Sequence, residues 1–172
     1  MTPLPPPWGS GRLRGWRLDQ ASFASVWNSG EGAFLYGGRW NSRGTRAVYA
    51  ALDPATAIIE VAVHKSFRVL DAVPHVLTGF SLDHAADIHA VMPGDLTDAQ
   101  WLVPGLATAD QRRFGDTMLA AHDFVLLPST VSSHSWNLIF DPVRASGLID
   151  AVEQERFVLD PRLNRAGSVT TR

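Results

Sequence analysis

The spacing of apolar positions changes several times along the chain, and each change predicts an element. Gly15-Trp16-Arg17-Leu18 reads as a first strand, and Ala47-Val48-Tyr49-Ala50-Ala51 as a short apolar second one. Asp53-Pro54 then starts a helix, with an Asx side chain at the N-cap and proline at the first helical position. Helical period holds to about Ser66: Ile58, Val61 and Ala62 share one face, and Ala57, Glu60, His64 and Phe67 another. Residues 76–82 and 88–92 read as strands, 95–105 as loop, and 108–121 as a helix capped by Thr108. Strands over 124–127, 130–132 and 137–140 follow, with a weak last one over 157–159. Strands at both ends with few crossover helices predict an α+β fold, a compact mixed sheet core rather than a doubly wound parallel sheet.

The pattern is interrupted where glycine concentrates. Eight of the fourteen glycines precede residue 45, most of them in the stretch 28–46, where the backbone is free to turn and to approach neighbours closely. The Pro- and Gly-rich start predicts a flexible arm over 1–13, followed by one domain over 14–161 and a polar tail over 162–172. A length of 172 residues fits a single domain, and 45% apolar with 19% charged residues excludes a disordered chain. Absence of cysteine excludes a disulfide scaffold, a thiolate zinc site and a cysteine nucleophile. No export signal and no apolar run of membrane-spanning length are visible, so the expectation is a cytoplasmic protein without a membrane partner.

Charge sharpens the picture in one region. Fourteen of the fifteen basic residues are arginine, a ratio that GC-rich codon usage explains. Their placement is uneven: residues 1–46 carry six arginines against Asp19 and Glu31, a net of +4, whereas 47–110 carries a net of −6. The overall charge of −2 argues against direct nucleic-acid binding and leaves room for a local anion site in the basic first quarter.

Common motifs fail by inspection. Gly30-x-Gly32 meets Leu35 where a dinucleotide fingerprint needs a small residue, and Lys65-Ser66 lacks the glycines of a phosphate loop. His84 and His89, five apart, share neither a helix face nor a strand face, so no metal is expected. Glu60 and His64 do share a helix face. A carboxylate inside Ile58-Ile59-Glu60-Val61-Ala62-Val63 either snorkels at the helix edge or faces a cleft joined by arginines of the Gly-rich stretch.

Four ordered blocks bear on that choice. Trp16-Arg17-Leu18, then Gly30 through Ser42 with Gly37-Gly38-Arg39-Trp40-Asn41, then Ala47-Val48-Tyr49 with Ala57 through His64, then Leu127-Pro128-Ser129 with Ser135 through Pro142, together resemble the RES domain family. The resemblance spans about residues 14–145 and departs from the family pattern at Ala50-Ala51 and Ser132–Ser135. It implies a fold similar to ADP-ribosyltransferases and the toxin role of bacterial toxin–antitoxin pairs. The implied partner is an antitoxin of Xre type, with oligomerisation open in that complex. NAD is implied as substrate, with no metal. By position, the implied site residues are Glu60, Arg39 and Ser129 for catalysis, with Arg17, Arg39, Tyr49, Glu60 and Ser129 holding NAD.

The chemistry suits those residue types. Cleavage of the nicotinamide–ribose bond passes through an oxocarbenium-like state that a nearby carboxylate stabilises. Arginine forks suit a diphosphate. Water or phosphate would take the ADP-ribose; a protein acceptor is the alternative, and an RNA-cleaving toxin or a non-catalytic NAD-binding module are more distant ones.

Overall fold

The computed structural model describes residues 12–164, so the expected arm lies outside it up to Gly11 and the expected tail beyond Asn164. In chain order the elements are β1 (Arg14–Gln20), α1 (Glu31–Tyr36), β2 (Val48–Ala51), α2 (Pro54–Lys65), α3 (Phe67–Ala72) and β3 (His75–Leu82). They continue with β4 (Ile88–Ala90), α4 (Ala109–Ala121), β5 (Phe124–Pro128), β6 (Trp136–Phe140) and β7 (Ile149–Phe157). The strands form one sheet in the order β4-β5-β6-β2-β1-β3-β7, antiparallel except at β4–β5. This is the mixed sheet with few helices that the apolar pattern predicts. No helix among the described residues is long and apolar enough to cross a membrane.

The sheet is curled, and one core cluster fills the curl. Strands lie about 4.8 Å apart, so β3 and β6, three steps apart, would be separated by about 14 Å in a flat sheet. Phe80 of β3 nevertheless meets Phe140 of β6 ring to ring at 5.9 Å, and Phe140 meets Phe124 of β5 at 5.3 Å. Gly15 of β1 makes this possible: a Cβ there would overlap the Phe80 ring and stand 2.9 Å from Leu138. Val48, Ala50, Trp136, Leu138 and Leu82 belong to the same cluster.

Two further clusters cover the other face. Trp40, Val125, Leu127 and Ile139 pack with Leu119 of α4, and Leu18 and Leu77 pack with Ala62 of α2 and Leu70 of α3. Alternation along β6 sends Trp136, Leu138 and Phe140 into the curl, which turns Asn137 and Ile139 to the helical side. Between the two clusters the sheet parts: β1 and β2 are in register at a single pair, Trp16↔Ala51.

The structure differs from the sequence reading in four places. Residues 130–132 form turns, because the Ser129 hydroxyl accepts the amides of Val131 and Ser132 and so competes with a strand ladder. The last strand spans Ile149–Phe157 rather than 157–159. It is an edge strand exposed on both sides, so it carries no alternation to detect. The Gly-rich stretch holds α1, bounded by Gly30 (φ 64°) and Gly37 (φ 71°), left-handed positions that favour glycine. Finally, Ser66 (φ 69°) ends α2 and α3 begins directly after it.

Candidate active site

α2 is positioned from its first residue. The Asp53 carboxylate caps it, accepting the Thr56 amide at 2.8 Å and the Thr56 hydroxyl at 2.7 Å, and Ser135 also donates to it. Partial burial pushes the Asp53 carboxyl up, but the hydrogen bonds from Ser135 and Thr56 outweigh this and hold it below the usual carboxylate range. One charged cap therefore ties the start of α2 to the loop between β5 and β6. That same loop carries Ser129.

Two turns along α2, Glu60 meets this loop and β6. Ser129 Oγ donates to Glu60 Oε1 at 2.9 Å, and Asn137 Nδ2 donates to the same oxygen at 2.7 Å. The Ser129 hydroxyl already accepts two backbone amides, so its single proton is directed at Glu60. Both donors hold one carboxylate oxygen, and among the described residues no donor reaches Oε2. Glu60 is half-buried at a pocket wall, which settles the choice between snorkelling and cleft-facing in favour of the cleft.

The opposite wall is built on a tyrosine. Tyr49 Oη donates to Asn41 Oδ1 at 2.7 Å and accepts the Trp40 amide at 3.0 Å. Asn41 is fully buried, and its Nδ2 serves the carbonyls of Ala33, Ser42 and Thr45 at 2.9–3.0 Å. Burial pushes the Tyr49 phenol well above its ordinary range; Asp116 adds to this, while the Trp40 amide and the charges of Arg39 and Arg112 oppose it. Arg39, in the loop so fixed, donates to the carbonyls of Gly105 at 2.8 Å and Trp101 at 3.4 Å.

Arg17 bridges the parting of the sheet. Its Nη1 donates to the Tyr49 carbonyl of β2 at 2.6 Å, where the β1–β2 ladder has ended. Its Nε and Nη2 are both taken by the Asp19 carboxylate at 2.7 Å, a bidentate pair that neutralises much of its charge.

These groups enclose a cavity of about 520 Å³, within the range of small-molecule sites. Of the residues implied at the site, Arg17, Arg39, Tyr49 and Glu60 line it, and Ser129 stands behind Glu60 as its hydrogen-bond donor. Ala50 and Ala51, where the chain departs from the family pattern, form part of the floor. Asn137 is not among the implied site residues; the parity of β6 is the signal that turns it to the pocket. Among the described residues, no group of three or more His, Asp or Glu side chains could hold a metal ion.

Comparison with known proteins bears on family and fold. The RES domain family matches residues 14–160. Toxin Res of Photorhabdus laumondii subsp. laumondii is 30% identical over 158 residues, covering 88% of this chain and 97% of that protein. The Prs ADP-ribosylating toxin of Sphingobium sp. is 30% identical over 157 residues, covering 87% and 96%. A chain of the M. tuberculosis MbcT–MbcA toxin–antitoxin complex superposes with a TM-score of 0.69 at 17% identity, covering 86% of this chain and 85% of its own, and shows the shared fold. A match over nearly the whole described chain, with the motif residues gathered at one pocket, makes this chain a member of the RES domain family.

Proposed function

We propose that the chain is the toxin of a toxin–antitoxin pair, acts in the cytoplasm and consumes NAD by cleaving its nicotinamide–ribose bond. The observation that carries this reading is Glu60: one carboxylate oxygen is clamped by Ser129 and Asn137, and the other is left for a ligand in a pocket that also holds arginines. The C1′–N bond breaks, nicotinamide leaves as a neutral molecule with the bonding pair, and positive charge develops on the ribose. A carboxylate already fixed in place stabilises that charge without reorganising, which is the most effective form of electrostatic catalysis. Water or phosphate adds to C1′ and loses a proton to solvent, so no protein nucleophile is required.

Each side chain has a distinct part in this scheme. Ser129 and Asn137 orient Glu60. Arg39 grips the diphosphate. Tyr49 spends its hydroxyl on Trp40 and Asn41 and offers its ring to the substrate, while Arg17 acts mainly by holding β1 to β2 at the pocket floor. The names of the relatives support the toxin role, and the complex in which the structural neighbour was solved supports an antitoxin partner, taken here to be of Xre type.

A second reading, transfer of ADP-ribose to a protein, is favoured by the name of the Sphingobium relative. Mass-spectrometric analysis of NAD incubated with the protein separates the two. Free ADP-ribose or its phosphate supports the first, and ADP-ribose on a lysate protein selects the second. Glu60→Gln keeps the fold and loses roughly 100- to 1000-fold in rate. NAD left intact by the wild type with water, phosphate and lysate all supplied would overturn the reading.

A further inference from the structure

Arg112 lies outside every motif of the sequence and has no part in the scheme above. It projects from the first turns of α4 into the same pocket as Arg39. Its Nε donates to the Gly38 carbonyl at 3.2 Å, which anchors the guanidinium at the loop that carries Arg39; among the described residues neither terminal nitrogen has an acceptor. No carboxylate pairs with it among the described residues. Asp116, one turn further on, is engaged with the Ser42 amide at 2.9 Å, and the adjacent Arg113 turns outward to Asp110. Arg39 likewise binds only carbonyls among the described residues.

Two half-buried guanidinium groups therefore face one cavity with no acid in contact. Both line the pocket together with Tyr49 and lie within electrostatic reach of its hydroxyl, as does Asp116. Like charges held together at a concave surface repel, and a bound dianion relieves the repulsion. Arg17, in contrast, is already neutralised by Asp19. The placement of Arg112 is also built in: Gly115, three residues on and on the same face of α4, packs so closely on the Trp40 carbonyl that a Cβ would collide with it. That contact sets how deep α4 sits and so where Arg112 reaches.

We infer that Arg112 is a substrate-binding residue that grips the diphosphate of a dinucleotide together with Arg39. The inference rests on the NAD reading and extends it to a residue on α4. Its role is in binding and lies apart from the reacting bond, so the effect falls on KM more than on kcat.

The test compares NAD with nicotinamide riboside, which has the same scissile bond and no diphosphate. Arg112→Met is expected to lower kcat/KM for NAD at least tenfold, mostly through KM, and to weaken ADP-ribose in calorimetry by about the same factor, the range of a charge-assisted hydrogen bond. For nicotinamide riboside, kcat/KM should stay within about twofold. Arg113→Met, with the same change in net charge, is the control and should behave as wild type. Arg112→Lys keeps the charge without the Nε anchor, gives a smaller loss, and carries the test should Arg112→Met fold poorly. Equal losses on both substrates, or wild-type ADP-ribose binding in the Arg112 variants, overturn the assignment while leaving NAD cleavage standing. A wild type that neither binds ADP-ribose nor cleaves NAD overturns both.

Discussion

A phenol that donates to Asn41 and accepts from the Trp40 amide is more a fastener than a reagent, and Tyr49 illustrates how single residues shape this site. Ionising it would remove the proton given to Asn41 and place a charge in a desolvated position, so the folded state holds it protonated beyond its ordinary range. The unfolded chain ionises near pH 10. The raised value thus contributes stability that is complete below about pH 10 and is lost as the pH rises towards the folded value. In a Tyr36→Phe variant Tyr49 is the sole tyrosine, and its ionisation can be followed by ultraviolet difference absorbance. Tyrosinate should form together with loss of folded structure, and folding stability should fall steadily above pH 10. A reversible phenol titration near pH 10 in the folded protein would contradict the buried hydrogen-bonded arrangement.

At the scale of elements, the pocket depends on how closely α4 meets the loop that precedes β2. Gly115→Ala places a methyl against the Trp40 carbonyl, a backbone atom that cannot swing aside, so α4 must shift or the loop must yield. The expected cost is about 3 kcal/mol in denaturant unfolding, accompanied by weaker ADP-ribose binding because Arg112 moves with α4. A variant as stable as wild type would show that the contact is looser than the structure has it. α4 and α2 are also the elements most legible in the sequence, since Thr108 and Asp53-Pro54 are capping signals whose chemistry is local. What escapes detection lacks such local signals. β7 is polar on both faces, α1 hides among glycines, and the β-branched pair Thr130-Val131 suggests a strand until the Ser129 hydroxyl captures the following amides. Glu60, Arg39, Tyr49 and Ser129 are legible as candidates in ordered blocks; Asn137, although inside the fourth block, and Arg112, outside all four, are not, because strand parity and helix depth are what turn them to the pocket.

Across the whole molecule, a net charge of −2 coexists with a pocket whose arginine wall is uncompensated, so anionic ligands are drawn to one place. The cavity is lined by β1, β2, α2, α4 and the loop at Gly105, which means a ligand there joins parts of the chain on both sides of the β1–β2 parting. Binding should therefore stabilise the fold as a unit. ADP-ribose at a hundred times its Kd contributes about 2.7 kcal/mol, or roughly 5–10 °C in Tm for a domain of this size. An antitoxin can silence the proposed toxin most directly by placing an acidic side chain or a C-terminal carboxylate against Arg39 and Arg112, which would use the same cations as the diphosphate of the proposed substrate. With antitoxin in excess, calorimetric titration of the complex with ADP-ribose should then give no binding heat, and by reciprocity ADP-ribose should weaken antitoxin binding to the toxin. A ternary complex in which ADP-ribose retains its affinity would show instead that the partner acts from outside the pocket.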